Sequence, residues 1–232
     1  MKITATNANR ALYNALIEQK NQGKFAKDAI ITMSYLRFET VLTSSQNVIF
    51  NVLSNQGNGT QRSTEKRLNT PDAFIVSDFG FMVKKVTATT TDAQAKLFSY
   101  PEPSVFTGTE SKNLENLWNG YLTVKIDQTT WIDSLDMKRF YNVGQAQQGL
   151  AVSANATANL YQNSEWSHSS WGFDGLEPAI RFDGASNNDV TINLPESLNM
   201  SGAVGESNIA VLMVRGYLIQ RGSKFFVPLS KA

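Results

Sequence analysis

Beyond residue 28 the chain consists of short strand-like segments joined by loops, and no helical pattern separates the segments. They are rich in β-branched and aromatic residues, and several alternate apolar with polar positions. Since parallel α/β folds need a helix between successive strands, the pattern predicts an all-β fold, an antiparallel sandwich or barrel. Inside the third segment, Gly80 predicts a bulge. The nine segments are 29–42, 47–55, 73–89, 96–101, 120–127, 130–137, 178–184, 189–195 and 208–222.

One helix is predicted before the strands, over residues 8–22. Thr6 or Asn7 can cap its start, and Gly23 can end it. The helix is either an ordinary surface helix packed on the core or a terminal arm that contacts a partner or a membrane. Its apolar face has a 3.6-residue period and consists of Ala8, Ala11, Leu12, Ala15 and Leu16. The region is also basic, with Arg10, Lys20, Lys24 and Lys27.

The composition limits the chemistry that the protein can perform. The 232 residues include no cysteine and a single histidine, His168, and the formal net charge is +1. Thiolate nucleophiles, disulfides and histidine-rich or cysteine-rich metal sites are therefore excluded. A net charge near zero gives no general attraction for nucleic acid, and no specific nucleic-acid motif occurs. We expect no enzyme activity and no cofactor, and a glycosidase that uses only carboxylates is the least favoured alternative.

Three aspartates lie close together between residues 119 and 140: Asp127, Asp133 and Asp136. Alternation over 121–126 predicts a strand, and Asp127 is expected to begin a turn because aspartate can bond its own backbone two residues on. Asp133 and Asp136 are an odd number of residues apart, so they are expected on opposite faces of the strand unless the strand bends between them. A hairpin is therefore favoured over a pair of catalytic carboxylates.

Oxygen ligands suited to calcium occur at Asp183, Asn187 and Asp189. The calcium-loop pattern fails there, because its sixth position is Asn188 rather than glycine and its twelfth is Leu194 rather than glutamate. A strand, a tight loop and a second strand are favoured, and these three residues are only weak metal candidates.

Two long loop-like stretches cover 56–72 and 144–177. The charged part of the first, 62–68, is interpreted as a solvated loop, with a contact to the acidic edge of a neighbouring subunit as the alternative. In the second, two tryptophans flank His168, and no G-x-S-x-G elbow indicates a serine hydrolase. Such tryptophans can stack on sugar rings or be buried at a subunit interface, and the interface is favoured. The interface candidates are Arg10, Leu12, Leu16, Lys20, Trp166 and Trp171.

Four segments, in this order, resemble jelly-roll capsid proteins. They are TEKRLNTPDAFIVSDFGFMV (64–83), NGYLTVKIDQTTWIDSLDMKRFY (119–141), EPAIRFDGASNNDVTINLP (177–195) and VLMVRGYLIQRG (211–222). The chain is similar, over roughly residues 28–222, to the compact major capsid proteins of small icosahedral bacteriophages with an internal membrane. The resemblance implies a double jelly roll that stands upright in the shell, assembles as a homotrimer and carries an N-terminal arm near the inner membrane.

That resemblance divides the chain into a helical arm (1–28), a first jelly roll (29–143) and a second jelly roll (144–232). Nine strand segments are fewer than the about sixteen that two rolls need. A compact double jelly roll is favoured, and a single roll with insertions is the alternative.

The expected function is that of a bacteriophage capsid structural protein, made in the host cytoplasm and located in the virion. Its expected partners are further copies of itself, other capsid proteins and an internal membrane. The alternative function is a carbohydrate-binding β-sandwich module or a phage adhesin. The aromatic residues that indicate this alternative are Trp131, Tyr161, Trp166 and Trp171.

Overall fold

Two four-stranded antiparallel sheets make up most of the protein, as a computed structural model shows. The structure describes residues 4–53, 61–106, 108–143, 172–200 and 205–223. The strands are β1 (Ile30–Val41), β2 (Asn47–Asn51), β3 (Ala73–Val86), β4 (Tyr121–Ile126), β5 (Thr129–Asp136), β6 (Phe173–Asp183), β7 (Asn188–Asn193) and β8 (Ser207–Gln220). The helices are α1 (Thr4–Asn21) and α2 (Thr109–Glu115), with 3₁₀ turns at Asn116–Asn119 and Met137–Phe140. The prediction of an all-β sandwich is confirmed.

The long sheet has the strand order β1-β8-β3-β6, and the short sheet has the order β2-β7-β4-β5. All neighbouring strands are antiparallel, and β1 pairs with β8 without interruption from Ile30 opposite Gln220 to Val41 opposite Ile209. Each sheet contains strands from both sides of residue 143. The two segments 29–143 and 144–232 therefore contribute to the same two sheets.

The inner faces of the two sheets enclose one main hydrophobic core. Phe74, Phe79 and Phe81 of β3 are fully buried in it, together with Trp118 and Phe140 from the 3₁₀ turns. The rings of Phe81 and Trp118 meet edge to face, with centroids 5.3 Å apart. Aromatic pairs of this geometry add to the stabilisation that burial itself provides.

A second, smaller core lies on the outer face of the long sheet, where α1 packs. Leu16 of the helix is 3 % exposed and shares this core with Ile75 of β3 and Ile219 of β8. Gly23 follows the helix with φ 76°, and its N–H donates to the carbonyl of Lys20 at 3.0 Å. A left-handed glycine just after a helix is a common way to end it. No helix in the described ranges is long and apolar enough to cross a membrane.

Two local predictions about strands are wrong. The segment 96–101 is not a strand, because it makes only an isolated bridge between Phe98 and Val83. The bulge in β3 lies between Val76 and Asp78 rather than at Gly80. Gly80 has a different role: a Cβ added there would lie 2.6 Å from the ring of Phe173, so the glycine leaves room for that ring.

Candidate interaction surfaces

The outer face of the long sheet is covered at both ends. One end carries α1, as described above, and the other carries residues 61–68, here called the strap. Arg37 of β1 and Lys66 of the strap exchange two main-chain hydrogen bonds, each 2.9 Å long. The N–H of Glu39 donates to the side chain of Glu65 at 2.9 Å. The strap is therefore attached to the sheet both through main-chain pairing and through its side chains.

A buried charge network lies beneath the strap. The ammonium of Lys84 is 2.7 Å from a carboxylate oxygen of Glu39, and both side chains are 0 % exposed. Arg37 and Thr64 reach the other oxygen of Glu39, at 2.7 and 2.6 Å. Buried charges are costly unless they are paired and hydrogen-bonded. Glu39 and Lys84 form an ion pair, and the hydroxyl of Thr64 hydrogen-bonds to both side chains, donating to Glu39 and accepting from Lys84. The network thus holds β1, β3 and the strap together.

Asp92 extends this network toward solvent. Its carboxylate is 3.2 Å from the ammonium of Lys84 and accepts two hydrogen bonds from Arg62, at 2.6 and 2.8 Å. Burial raises the pKa of Asp92, but the hydrogen bonds and positive charges of Lys84 and Arg62 outweigh burial. The pKa of this carboxyl therefore lies below its usual value, so the ionised form stabilises the fold.

The interpretation of 62–68 as a solvated loop is wrong. Glu65 and Arg67 are both only 8 % exposed, and their side chains form an ion pair of 2.9 Å. The local sequence does not predict this burial, because a segment rich in charged residues is normally exposed to solvent. The one available signal was the pair of adjacent lysines Lys84 and Lys85 in β3: neighbouring residues of a strand point to opposite faces, so a lysine faces each side of the sheet.

The outer face of the short sheet is open, in contrast. In β4 the side chains alternate, with Tyr121 and Lys125 exposed and the residues between them buried or half-buried. Ile49 of β2 is 56 % exposed and Trp131 of β5 is 59 % exposed. Trp131 lies at a register shift in the pairing of β4 with β5, where the extra residue of a bulge is expected. This open face combines two aromatic residues with polar neighbours.

Exposed apolar residues also occupy the lateral sides of the sandwich. The strands β1 and β2 are the edge strands of their sheets and contact each other, so they form one side. Met33 and Tyr35 of β1 are 73 % and 46 % exposed there. The opposite side contains the edge strands β5 and β6, and Trp131 belongs to β5. The two sides therefore present different chemistry.

The helix residues predicted for an interface are mostly engaged within their own chain. Leu12 and Leu16 pack into the second core on the long sheet. The ammonium of Lys20 donates to the carbonyl of Ala29 at 2.6 Å. Arg10 is exposed to solvent. Trp166 and Trp171 lie outside the described residues, as do Tyr161 and His168.

The aspartates of the central hairpin have structural partners. Asp127 occupies the first position of the two-residue loop between β4 and β5, with φ 55°. Its carboxylate accepts from the N–H of Asn187 at 3.0 Å, and its own N–H donates to the Asn187 carbonyl at 2.7 Å. Asp136 accepts from the N–H of Lys138 at 2.9 Å and caps the following 3₁₀ turn. The predicted hairpin is confirmed.

The prediction that Asp133 and Asp136 face opposite sides is wrong. Ile132 and Leu135 have the same spacing, yet both pack against the main core. The pairing of β4 with β5 shifts register here, and an inserted residue reverses the alternation of faces. Asp136 lies opposite the exposed Tyr121, so both aspartates belong to the outer face.

The calcium candidates do not form a cluster. Asp183 accepts from the N–H of Ala185 at 3.0 Å and from the hydroxyl of Ser223 at 2.7 Å. The side chain of Asn187 instead donates to Asp189 at 3.2 Å. Within the described ranges, no three acidic or histidine side chains come together in a way that could hold a metal ion.

Two comparisons with known proteins add no relative. No family model matches the chain. A search of curated proteins also finds no match. The function is therefore inferred from the strand topology and from the exposed surfaces.

Proposed function

We propose that the protein is a structural subunit of a bacteriophage capsid, built as one jelly roll. The observation that carries the proposal is the strand pairing: β1 with β8, β2 with β7, β3 with β6 and β4 with β5. Successive pairs alternate between the two sheets. This is the arrangement produced when one long antiparallel hairpin is rolled into a sandwich, and jelly rolls of eight strands are common in viral capsids.

The strand count favours a single jelly roll over a double jelly roll. A double roll needs about sixteen strands in two sandwiches. The eight strands of the described ranges belong to one sandwich, and both of its sheets use strands from each side of residue 143.

Jelly rolls also occur in lectins and cupins, so the topology alone does not distinguish a capsid subunit from these proteins. The exposed surfaces favour the capsid subunit. Exposed Met33 and Tyr35 belong to the edge strand β1 on one lateral side of the sandwich, and exposed Trp131 belongs to the edge strand β5 on the other. A closed shell needs more than one kind of contact between subunits, and separate exposed patches on the two sides of the sandwich provide surfaces for such contacts. A net charge of +1 also allows dense packing without strong self-repulsion.

Within this proposal, the subunits form homotrimers and then the larger shell of the virion. The α1 helix is docked on the long sheet through Leu16, while Arg10 remains exposed. The exposed side of α1 is then available to other capsid proteins or to the internal membrane that the family resemblance implies.

The test is to express the full chain and examine it by negative-stain electron microscopy. Rings, trimers or closed particles of uniform size are expected. A population of single molecules at every concentration up to the solubility limit would contradict the proposal.

Carbohydrate binding is the second candidate function, and the exposed Trp131 on the open face favours it. Aromatic rings on an open sheet can stack against sugar rings. Retention of a monomeric protein on a polysaccharide column, lost in Trp131→Ala, would support this function over the capsid. An assembling protein that passes through the column supports the capsid.

A further inference from the structure

Three of the four edge strands carry features that discourage pairing with another strand. The strand β6 contains Pro178, β5 has two register shifts against β4, and β2 has only 5 residues. Proline, bulges and shortness are recognised ways of protecting a sheet edge. The fourth edge strand, β1, is covered by the strap at Arg37. Its first half has no such cover among the described residues.

The free stretch of β1 runs from Ile31 to Tyr35. In an antiparallel pair, successive residues point their main-chain groups alternately to the two sides of the strand. Arg37 points toward the strap, so Ile31, Met33 and Tyr35 point to the same free side. In the described part of the chain, no main-chain partner lies beside these three residues. Met33 is also the most exposed large apolar residue on that part of the chain, at 73 %.

We propose that this stretch pairs with the same stretch of a second copy, antiparallel, across a two-fold axis at Met33. The inference rests on the proposed function, because it specifies one of the contacts between subunits. It joins two long sheets into one sheet of eight strands. Such a contact is isologous, so a single surface serves both copies.

The two ends of the free stretch of β1 determine the register of this pairing. The strand begins at Ile30 and the strap occupies Arg37, so the midpoint is close to Met33. Pairing centred on Met33 sets Ile31 opposite Tyr35 of the second copy. It sets the strap opposite residue 29, where the strand of the second copy has already ended. The strap and the incoming strand therefore do not compete for the same edge.

The side chains of this stretch are compatible with self-association. Residues 30–35 read IITMSY and carry no charge, so no like charges meet across the axis. Lys66 is the one obstacle that the described residues place there: its ammonium donates to Ser34 at 2.9 Å and lies 4.7 Å from the centroid of the Tyr35 ring. A lysine on an edge discourages pairing, so its exposed side chain has to turn away as Ile31 of the second copy arrives.

The absence of cysteine from the chain permits a clean test in the full-length protein. In the proposed register, the two copies of residue 33 form a hydrogen-bonded pair with Cα atoms about 5.5 Å apart, within disulfide range. Met33→Cys is therefore expected to give a covalent dimer on mild oxidation. Tyr35→Cys is the matched control, because its two copies would lie about 14 Å apart. Ile49→Cys, 56 % exposed on the short sheet, controls for random collision.

A second variant tests the main-chain bonds themselves. Met33→Pro removes an N–H that faces the free edge and leaves the pairing of β1 with β8 intact, so the melting temperature should change little. The dimer dissociation constant should rise about tenfold or more, since two hydrogen bonds are lost across the axis. Lys66→Ala should lower the dimer dissociation constant, because it removes the lysine side chain that lies beside Ser34 and Tyr35. A dissociation constant unchanged by Met33→Pro would contradict the pairing.

The outcomes separate this inference from the proposed function. Failure of Met33→Cys to cross-link, or equal cross-linking of all three cysteine variants, overturns the edge pairing. Particles that form without a cross-link at residue 33 overturn the pairing and leave the capsid proposal in place. Cross-linked dimers that never form larger particles support the pairing and overturn the capsid proposal.

Discussion

The two sheets of the sandwich differ in how their outer faces are used. In the long sheet, β8 is buried or half-buried at every position except Gln220. In the short sheet, β4 alternates between buried residues such as Val124 and exposed ones such as Lys125. The long sheet is covered on both faces: the short sheet packs on its inner face, and α1 and the strap lie on its outer face. The short sheet has one buried face and one face in contact with solvent, as antiparallel sheets commonly do.

This difference shows that oppositely charged residues on the outer face of a sheet contribute very differently to stability, depending on whether that face is covered. Lys84 and Glu39 point outward from the long sheet but are buried beneath the strap, so they require each other. Lys125 and Asp189 lie opposite each other on the short sheet and remain exposed. An exposed pair of this kind contributes about 0–1 kcal/mol, whereas breaking a buried pair costs about 3–5 kcal/mol.

The largest expected effect is on the buried pair. Lys84→Met should lower the free energy of unfolding by about 3 kcal/mol, because Glu39 and Asp92 both lose the buried ammonium that they contact. Lys125→Met, the matched change on the open face, should alter it by less than about 0.5 kcal/mol. Urea denaturation followed by intrinsic fluorescence measures both. Equal effects at the two positions would remove the distinction between the sheets.

The cover supplied by α1 is tested next. Leu16→Ala should lower the free energy of unfolding by about 2–3 kcal/mol, because the side chain is 3 % exposed against the long sheet. Ile49→Ala removes an apolar side chain from the open face and should cost about 0.5 kcal/mol or less. Thermal melting followed by circular dichroism compares them. A harmless Leu16→Ala would mean that α1 does not cover the sheet in solution.

A smaller effect is expected at the hairpin of the short sheet. Asp127→Ala should cost about 0.5–2 kcal/mol, since the carboxylate holds the N–H of Asn187 as a helix cap would. Asp133→Ala should be nearly neutral, because that side chain is exposed. Chemical denaturation decides between them. Loss of a hydrolytic activity in Asp133→Ala at unchanged stability would instead indicate a catalytic carboxylate.

The smallest expected effect concerns pH. The pKa of Asp92 is lowered in the folded protein, because Lys84 and Arg62 outweigh the effect of burial. A lowered pKa contributes stability that is present above the unfolded-state pKa and is lost as the pH falls through the folded-state pKa. Acid should therefore destabilise the wild type more than Asp92→Asn. Melting temperatures from neutral to acidic pH measure this, and parallel curves would show that Asp92 does not contribute.

Much of the short sheet was predictable from the sequence. Alternation indicated 120–127 and 189–195, and the structure has β4 at Tyr121–Ile126 and β7 at Asn188–Asn193. The turn at Asp127 was also predicted, since aspartate favours such positions. These features depend on neighbouring residues alone, which is why a single sequence reveals them.

The packing of α1 and the strap on the long sheet was not predictable from neighbouring residues. Glu39 and Lys84 are far apart in the chain, and nothing local to either residue identifies the other. The bulge in β3 also depends on a distant part of the chain, since it lies opposite Gly216 of β8. A Cβ added at Gly216 would lie 1.8 Å from the carbonyl oxygen of Ile75, so the close approach of the two strands requires glycine there. The contacts of Leu12 and Leu16 with their own sheet also required the tertiary arrangement.

Hydrogen–deuterium exchange over a dilution series tests most directly whether this sandwich assembles through its exposed sides. Our account predicts that peptides covering 30–36 exchange more slowly at high concentration, as the free half of β1 becomes paired. Peptides from β8 should be equally protected at every concentration, because that strand is central and already buried. Exchange in 30–36 that is independent of concentration, in a protein that stays monomeric, would contradict the account.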